Sequence, residues 1–286
     1  MIEIVATGPH ASVQDLGRVG HAAWGITRGG AADRGSLQLA NRLVGNTDSA
    51  AAFELLLAGA TLRFDRAGVI AVTGATCPFT VDRTPGGCDG PQLVPAGAVV
   101  QFGIPAQRLR TYVAVRGGLA TEPVLGSRAT DERSGLGRAL RAGDVVPVGT
   151  DVVGPPLVDL APIPRWPDGP ITLQGVVGPR DDWFTEESLG EFERGTFTVQ
   201  AASDRVGIRL DGRRLQRRHD ETELLSEPTI RGAIEVPPDG RPIIFSADHP
   251  TTCGYPVVAV LDPRSADVAA QCRPGQSVTF ALTRLT

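Results

Sequence analysis

Thirty-five glycines and 23 prolines punctuate the 286 residues of this chain. Proline removes a backbone donor and glycine loses extra entropy in any regular element, so long helices are excluded, while short strands joined by tight corners accommodate both. Between these breaks, runs rich in Val, Ile, Thr and Phe read as strands over 61–64, 68–75, 98–103, 110–118, 144–149, 171–178, 197–200, 242–247, 257–261 and 277–282. Helices are few and short. The clearest is expected from Gly35 to Val44, with Asp33 as its N-cap, Leu37, Ala40, Leu43 and Val44 in one apolar stripe, and Gly45 just past its end. Two more are expected over Asp182 to Phe192 and Asp267 to Cys272. The fold class is mainly β.

One local pattern occurs three times, as PAGAVVQF at 95–102, RAGDVVPV at 141–148 and RPGQSVTF at 273–280. Glycine stands third each time and a strand follows, the pattern of a tight turn feeding a sheet or barrel. Its use in both halves of the chain suggests two related β-barrel domains, 1–155 and 156–286. Between them, residues 154–170 carry six prolines and read as a stiff, extended boundary.

All 28 basic residues are arginine. Without lysine there is no Schiff base, no P-loop lysine, no lysine general base and no lysine on which a prosthetic group could be carried. The net charge of −4 and the spread of the arginines, with one cluster at 209–218, argue against a nucleic-acid footprint. Cys77, Cys88, Cys253 and Cys272 show no metal-ligand spacing, and His10, His21, His219 and His249 are scattered, so no metal is expected. No secretory leader and no apolar run of membrane length is seen; a cytoplasmic protein with reduced thiols and no membrane partner is expected.

Polar, glycine-rich segments concentrate in three places. Residues 12–46 bring Gln14, Asp15, Arg18, Arg28 and Asp33 together with glycines that permit close backbone approach to a ligand; internal Asp–Arg pairs closing the loop would use the same residues. In SDRVGIRL at 203–210, an unbroken strand would aim Arg205 and Arg209 the same way, suited to a carboxylate or phosphate, with Asp204 on the opposite face. An Asp–Arg lattice tying barrel strands is the alternative. In ADHPTTCGYP at 247–256, His249, Thr251, Thr252 and Tyr255 offer polar groups and Gly254 permits close approach.

The motifs VQDLGR (13–18), GITRGGAAD (25–33), LANRLVGN (39–46), FELLLAGATLRF (53–64), YVAVRGGLATEPVLGSRAT (112–130), GRALRAGD (137–144), SDRVGIRL and TTCGYP, in this order, resemble the allophanate hydrolase subunit 2 family, also known as the C component of 5-oxoprolinase. The family is similar to one half of the carboxyltransferase component of urea carboxylase. The resemblance implies cyclophilin-like β-barrel units and a sister subunit of the allophanate hydrolase subunit 1 type, the B component of 5-oxoprolinase. It implies small amide, lactam or ureide substrates, ATP used through the complex, and, in the carboxyltransferase variant, biotin carried on another chain. A non-catalytic regulatory partner is the remaining reading. The chain departs from the family pattern at Cys253, where glycine is usual, at Gly30-Ala31-Ala32, and in a compact loop 131–136.

Chemistry at an amide carbon needs donors for a developing oxyanion and a group that moves a proton. The residues assigned on this basis are Arg18, Arg205 and Arg209 as anion stabilisers and Asp15, Asp33 and Asp204 as orienters or proton acceptors. Gln14, His249, Thr251, Thr252, Gly254 and Tyr255 are assigned to substrate binding. Segments 14–33, 203–209 and 248–256 are expected to converge on one cleft.

Overall fold

The computed structural model describes residues 1–163, 165–218 and 224–284. The chain divides into two compact units, Met1–Arg18 with Gly29–Trp166, and Val19–Arg28 with Pro167–Thr286.

The first unit stacks two antiparallel sheets. One has six strands in the order Val145–Val146, Ile2–Thr7, Ala60–Phe64, Val99–Phe102, Phe79–Val81 and Thr84–Pro85; the other has five, His10–Gln14, Ala52–Leu56, Arg110–Val115, Gly68–Gly74 and Pro91–Val94. The facing sides bury Ile2, Ile4, Leu62, Phe64 and Val100 against Val13, Phe53, Leu55, Val72 and Val113. Each such side chain withdrawn from water stabilises the fold by roughly 1.5–3 kcal/mol. The other face of the five-stranded sheet presents Ala52, Ala71, Tyr112 and Ala114 to the helix α1 (Arg34–Leu43). Covered on both sides, the central strand Arg110–Val115 is buried at every residue. A closed barrel was expected for this domain, but the strands form two separate sheets whose outermost members include the two-residue strands Val145–Val146 and Thr84–Pro85, too short to bridge one sheet to the other.

The second unit closes. Its seven barrel strands follow the order Ile171–Val177, Val257–Leu261, Ala233–Glu235, Ile243–Phe245, Gly207–Asp211, Phe197–Val199 and Ser277–Thr283, and the last pairs in parallel with the first, Ile171 opposite Val278. Leu173, Leu210, Ile234, Ile244 and Ala259 are buried. Phe192, from α2 (Glu186–Arg194), stacks on Phe280 at 4.6 Å between ring centroids. The helix expected over 182–192 is instead a 3-10 turn, Asp181–Trp183, followed by α2, because Thr185 accepts a hydrogen bond from Ser188 N–H and starts the helix there. The helix expected at 267–272 is α3, Pro263–Ala269: Asp262 caps Ser265 N–H and Pro263 takes the first helical position, where its missing N–H costs nothing.

The threefold glycine pattern has a common geometry. Gly97, Gly143 and Gly275 all adopt left-handed backbone (φ +79°, +90° and +85°). Each donates its N–H to a neighbouring strand, to Phe64, Ile4 and Val199 carbonyls respectively.

Candidate functional site

In the first unit, the loop after the strand His10–Gln14 is held by its own polar side chains. Asp15 accepts from Gly17 N–H (2.7 Å), Ser127 hydroxyl (2.6 Å) and Arg128 N–H (2.7 Å), so its carboxylate fastens residues 127–128 to the loop. Arg18 is almost fully buried and donates to the Ala129 and Val124 carbonyls, while its Nη1 has no protein partner. Gln14 Nε2 donates to Ser12 Oγ and the Thr130 carbonyl, and its Oε1 likewise has no protein partner. These three residues together hold the segment 124–130. Arg18 is thus enclosed by carbonyls, and the sequence offers no sign of it, since those carbonyls lie more than a hundred residues away.

Asp33 caps α1, accepting from Ser36 N–H (2.9 Å) and Ser36 hydroxyl (2.6 Å). Behind it lies a network absent from the sequence reading. Tyr112 hydroxyl accepts from Asp33 N–H (2.8 Å) and donates to Glu54 Oε2 (2.7 Å), which also accepts from Ala32 N–H (3.0 Å). Arg110 Nε stands 3.4 Å from the other Glu54 oxygen. Burial, then the neighbouring Glu54 and Asp33 charges, raise the Tyr112 phenol well above its ordinary pKa, so it stays a donor. Ser12, Glu54, Tyr112 and Thr73 are cross-strand partners and share one face of the five-stranded sheet. Gly30 (φ +86°) lies where a Cβ would sit 2.6 Å from Gly17 N, so this glycine lets the loop cross its own backbone, not a ligand.

In the second unit the barrel strand begins only at Gly207, so Arg205 and Arg209 do not share a strand face. Asp204 Oδ1 accepts from Val206 N–H (2.8 Å) and Gly207 N–H (2.9 Å), a local turn closure that leaves Arg205 to a different carboxylate. That partner is Asp248: Arg205 Nε and Nη2 fork onto its two oxygens at 2.7 and 3.0 Å, and Arg205 carbonyl accepts from Asp248 N–H. Side-chain exposure is 17% for Arg205 and 7% for Asp248. The next residue, His249, is buried against Phe245 and places Nδ1 2.7 Å from the Pro250 carbonyl. Donation there puts the lone pair of the neutral ring on Nε2. Thr229 hydroxyl donates to the same carbonyl. Thr251 carbonyl accepts from Thr229 N–H, while Thr252 and Tyr255 are exposed.

Burial raises the Glu235 carboxyl above its ordinary pKa, opposed by the Cys253 hydrogen bond and by the charge of Arg209, which is exposed on its strand. Glu235 Oε2 accepts from the Cys253 thiol (2.9 Å), and burial followed by that bond pushes the thiol up to about 11. Gly254 packs beside the Leu224 carbonyl. Arg18, Asp15, Asp33 and Gln14 belong to the first unit, and Asp204, Arg205, Arg209, His249 and the 251–255 segment to the second. Asp248, Thr229, Glu54 and Tyr112 are polar members of these clusters that sequence reasoning missed; each sits within an apolar or turn-like run that gave no signal of a charge partner. His219 lies outside the described residues. Among the described residues no group of three or more His, Cys, Asp or Glu could hold a metal ion, and no helix is long and apolar enough to cross a membrane.

The chain has no lysine on which it could itself carry biotin.

Residues 24–282 match the family model described as carboxyltransferase domain, subdomain A and B, and the chain belongs to that family. It is 34% identical over 284 residues to the 5-oxoprolinase C component of Escherichia coli, covering 98% of this chain and 90% of that protein. It is 31% identical to urea amidolyase of Saccharomyces cerevisiae, again over 98% of this chain but only 16% of that protein. The crystal structure of the K. lactis urea amidolyase superimposes with a TM-score of 0.91 at 28% identity, over 98% of this chain and 18% of that one.

Proposed function

We propose that this chain is the C-type component of a 5-oxoprolinase-like enzyme, acting with a sister subunit of the B type on a small lactam, amide or ureide while the complex consumes ATP. The observation that supports this reading best is the likeness to the bacterial C component, 34% identity over 98% of this chain and 90% of that protein, against 31% identity over 16% of the yeast amidolyase. The family description favours a second reading, a carboxyltransferase subunit that takes a carboxyl group from biotin carried on another chain.

Within the second unit, Arg205 is the group to polarise an amide oxygen. Asp248 fixes the plane of its guanidinium, and His249, the residue that follows Asp248 in sequence, is assigned as proton acceptor through Nε2. Arg209 supplies further positive charge, and Thr251, Thr252 and Tyr255 supply hydroxyls for the substrate. In the first unit, Asp15, Arg18 and Gln14 act as positioning residues that hold segment 124–130, and Asp33 aligns α1. The proposed setting is the cytoplasm, in a hetero-oligomer. Co-expression with the sister subunits, purification and assay of ATP-dependent ring opening of 5-oxoproline tests the reading. Turnover that requires this chain is the expected result; turnover undiminished when it is omitted overturns it.

A further inference from the structure

The first unit holds a pair of thiols that the chemistry above does not use. Cys77 follows the strand Gly68–Gly74, and Cys88 lies in the short crossover that carries the chain from the six-stranded to the five-stranded sheet. Two backbone bonds pin that crossover, from Gly86 N–H to the Phe79 carbonyl (2.9 Å) and from Asp89 N–H to the Val72 carbonyl (2.8 Å). Pinned in this way, Cys88 Sγ sits 3.3 Å from the Cys77 carbonyl oxygen, which makes the two thiols electrostatic neighbours. Cys77 is buried in the core between the sheets, whereas Cys88 is half-buried beside exposed Gly87.

We propose that Cys77 and Cys88 are a redox modification site, in which Cys88 reacts with hydrogen peroxide and Cys77 resolves the product to an intramolecular disulfide. The asymmetry of the pair sets the roles. Cys88 is half-buried where Cys77 is enclosed in the core, so Cys88 has the better access to peroxide, and its neighbour Cys77 draws its thiol below the ordinary pKa against burial and the Asp89 charge. Its thiolate attacks one peroxide oxygen, the O–O bond breaks, and the departing hydroxide takes a proton to leave as water, with Cys88 as sulfenic acid. The Cys77 sulfur then attacks the Cys88 sulfur, the S–O bond breaks, and the hydroxyl leaves with the Cys77 proton as a second water. Two thiols have lost two electrons and two protons, and one peroxide has become two waters. Because Cys88 Sγ already lies against the Cys77 backbone, the two residues are neighbours before oxidation.

The remaining cysteines are internal controls. Cys253 donates to Glu235 and Cys272 is buried, with pKa values pushed up to about 11 and about 12. Cleavage after arginine separates Cys77, in 67–83, from Cys88, in 84–108. The test is mass spectrometry of the folded full chain after brief peroxide treatment and alkylation. The expected product is these two peptides joined and lighter by two hydrogens, with Cys253 and Cys272 alkylated. In Cys77→Ser, dimedone should trap sulfenic acid on Cys88, and in Cys88→Ser, oxidation of Cys77 should slow by about 10-fold or more. Cys77 oxidising at its original rate in Cys88→Ser, or Cys88 in the unaltered chain passing to sulfonic acid with no joined peptide, overturns the proposal.

Discussion

Arg205 is the residue on which the chemistry and the stability of the barrel unit meet. Replacing it with alanine removes the fork and leaves the Asp248 carboxylate buried with a lost partner, which should cost about 3–5 kcal/mol of stability. In the assembled enzyme, turnover should fall about 100-fold in the folded fraction, the loss expected for one oxyanion donor. Arg205→Lys should recover part of the stability and little of the turnover, since an ammonium cannot span both Asp248 oxygens. Melting temperature and turnover on one preparation separate the roles; normal specific activity in a destabilised Arg205→Ala would make the residue purely structural. That Arg205 mattered was legible from its setting in SDRVGIRL. Its partner was not: adjacency pointed to Asp204, whose side chain is spent on two backbone N–H groups, whereas Asp248 lies 43 residues on and meets it only because Ser246 and Asp248 pair with the backbone of 205–206. A second residue-level expectation concerns Asp89, whose carboxyl burial pushes up to about 6 from an ordinary 3.8. The folded chain therefore holds this proton more tightly than the unfolded one between those values. Its contribution to stability is complete below the lower value and is lost as pH rises through the upper one. Urea midpoints should accordingly fall between pH 4 and pH 7 in the parent relative to Asp89→Asn; parallel pH profiles for the two proteins would remove Asp89 as the cause.

Elements whose signals are local came out close to their sequence reading, and those that depend on distant partners did not. α1 begins and ends within a residue of its expected span because its cap, stripe and terminal glycine are all written within a dozen positions. The three glycine turns are equally local. The strands Ile2–Thr7, His10–Gln14 and Ala52–Leu56 were missed because polar residues interrupt them: Glu3 pairs across the sheet with Arg63, and Ser12 and Glu54 line up across the other sheet with Tyr112 beneath the loop that enters α1. The same geometry makes two substitutions informative. Asp33→Ala deletes the cap on Ser36 and should cost about 0.5–2 kcal/mol. Gly30→Ala should cost more, because its left-handed φ is strained for alanine and the added methyl would lie 2.6–2.8 Å from the backbone of 15–17, which cannot retreat without breaking the Ala31 N–H bond to the Asp15 carbonyl. Chemical denaturation of both variants checks the order. A Gly30→Ala protein as stable as the parent would mean that the loop crossing is not under the restraint its geometry describes.

At the scale of the whole molecule, mainly-β architecture was legible from turn density and short Val-rich runs, but closure was not, because nothing local distinguishes strands that join into a ring from strands that stop as two sheets. Function sits at this scale too. In the proposed complex the site is shared between subunits, and half of a composite site cannot complete the transition-state contacts. The chain by itself should therefore turn over neither 5-oxoproline nor a urea-type amide, and co-expressed with its sister subunit it should elute from sizing as a stable complex of both. The two chemistries then separate by one reagent. Avidin, which sequesters biotin, should leave ATP-dependent opening of 5-oxoproline unchanged in an oxoprolinase-type complex, and should abolish bicarbonate-dependent carboxylation of a urea-type amide if the carboxyltransferase reading holds. The first outcome is expected from the near full-length match to the bacterial C component. Loss of activity with avidin would transfer the chain to the carboxyltransferase reading, and full turnover by the purified single chain would contradict both, because each requires a second polypeptide to supply the activating group.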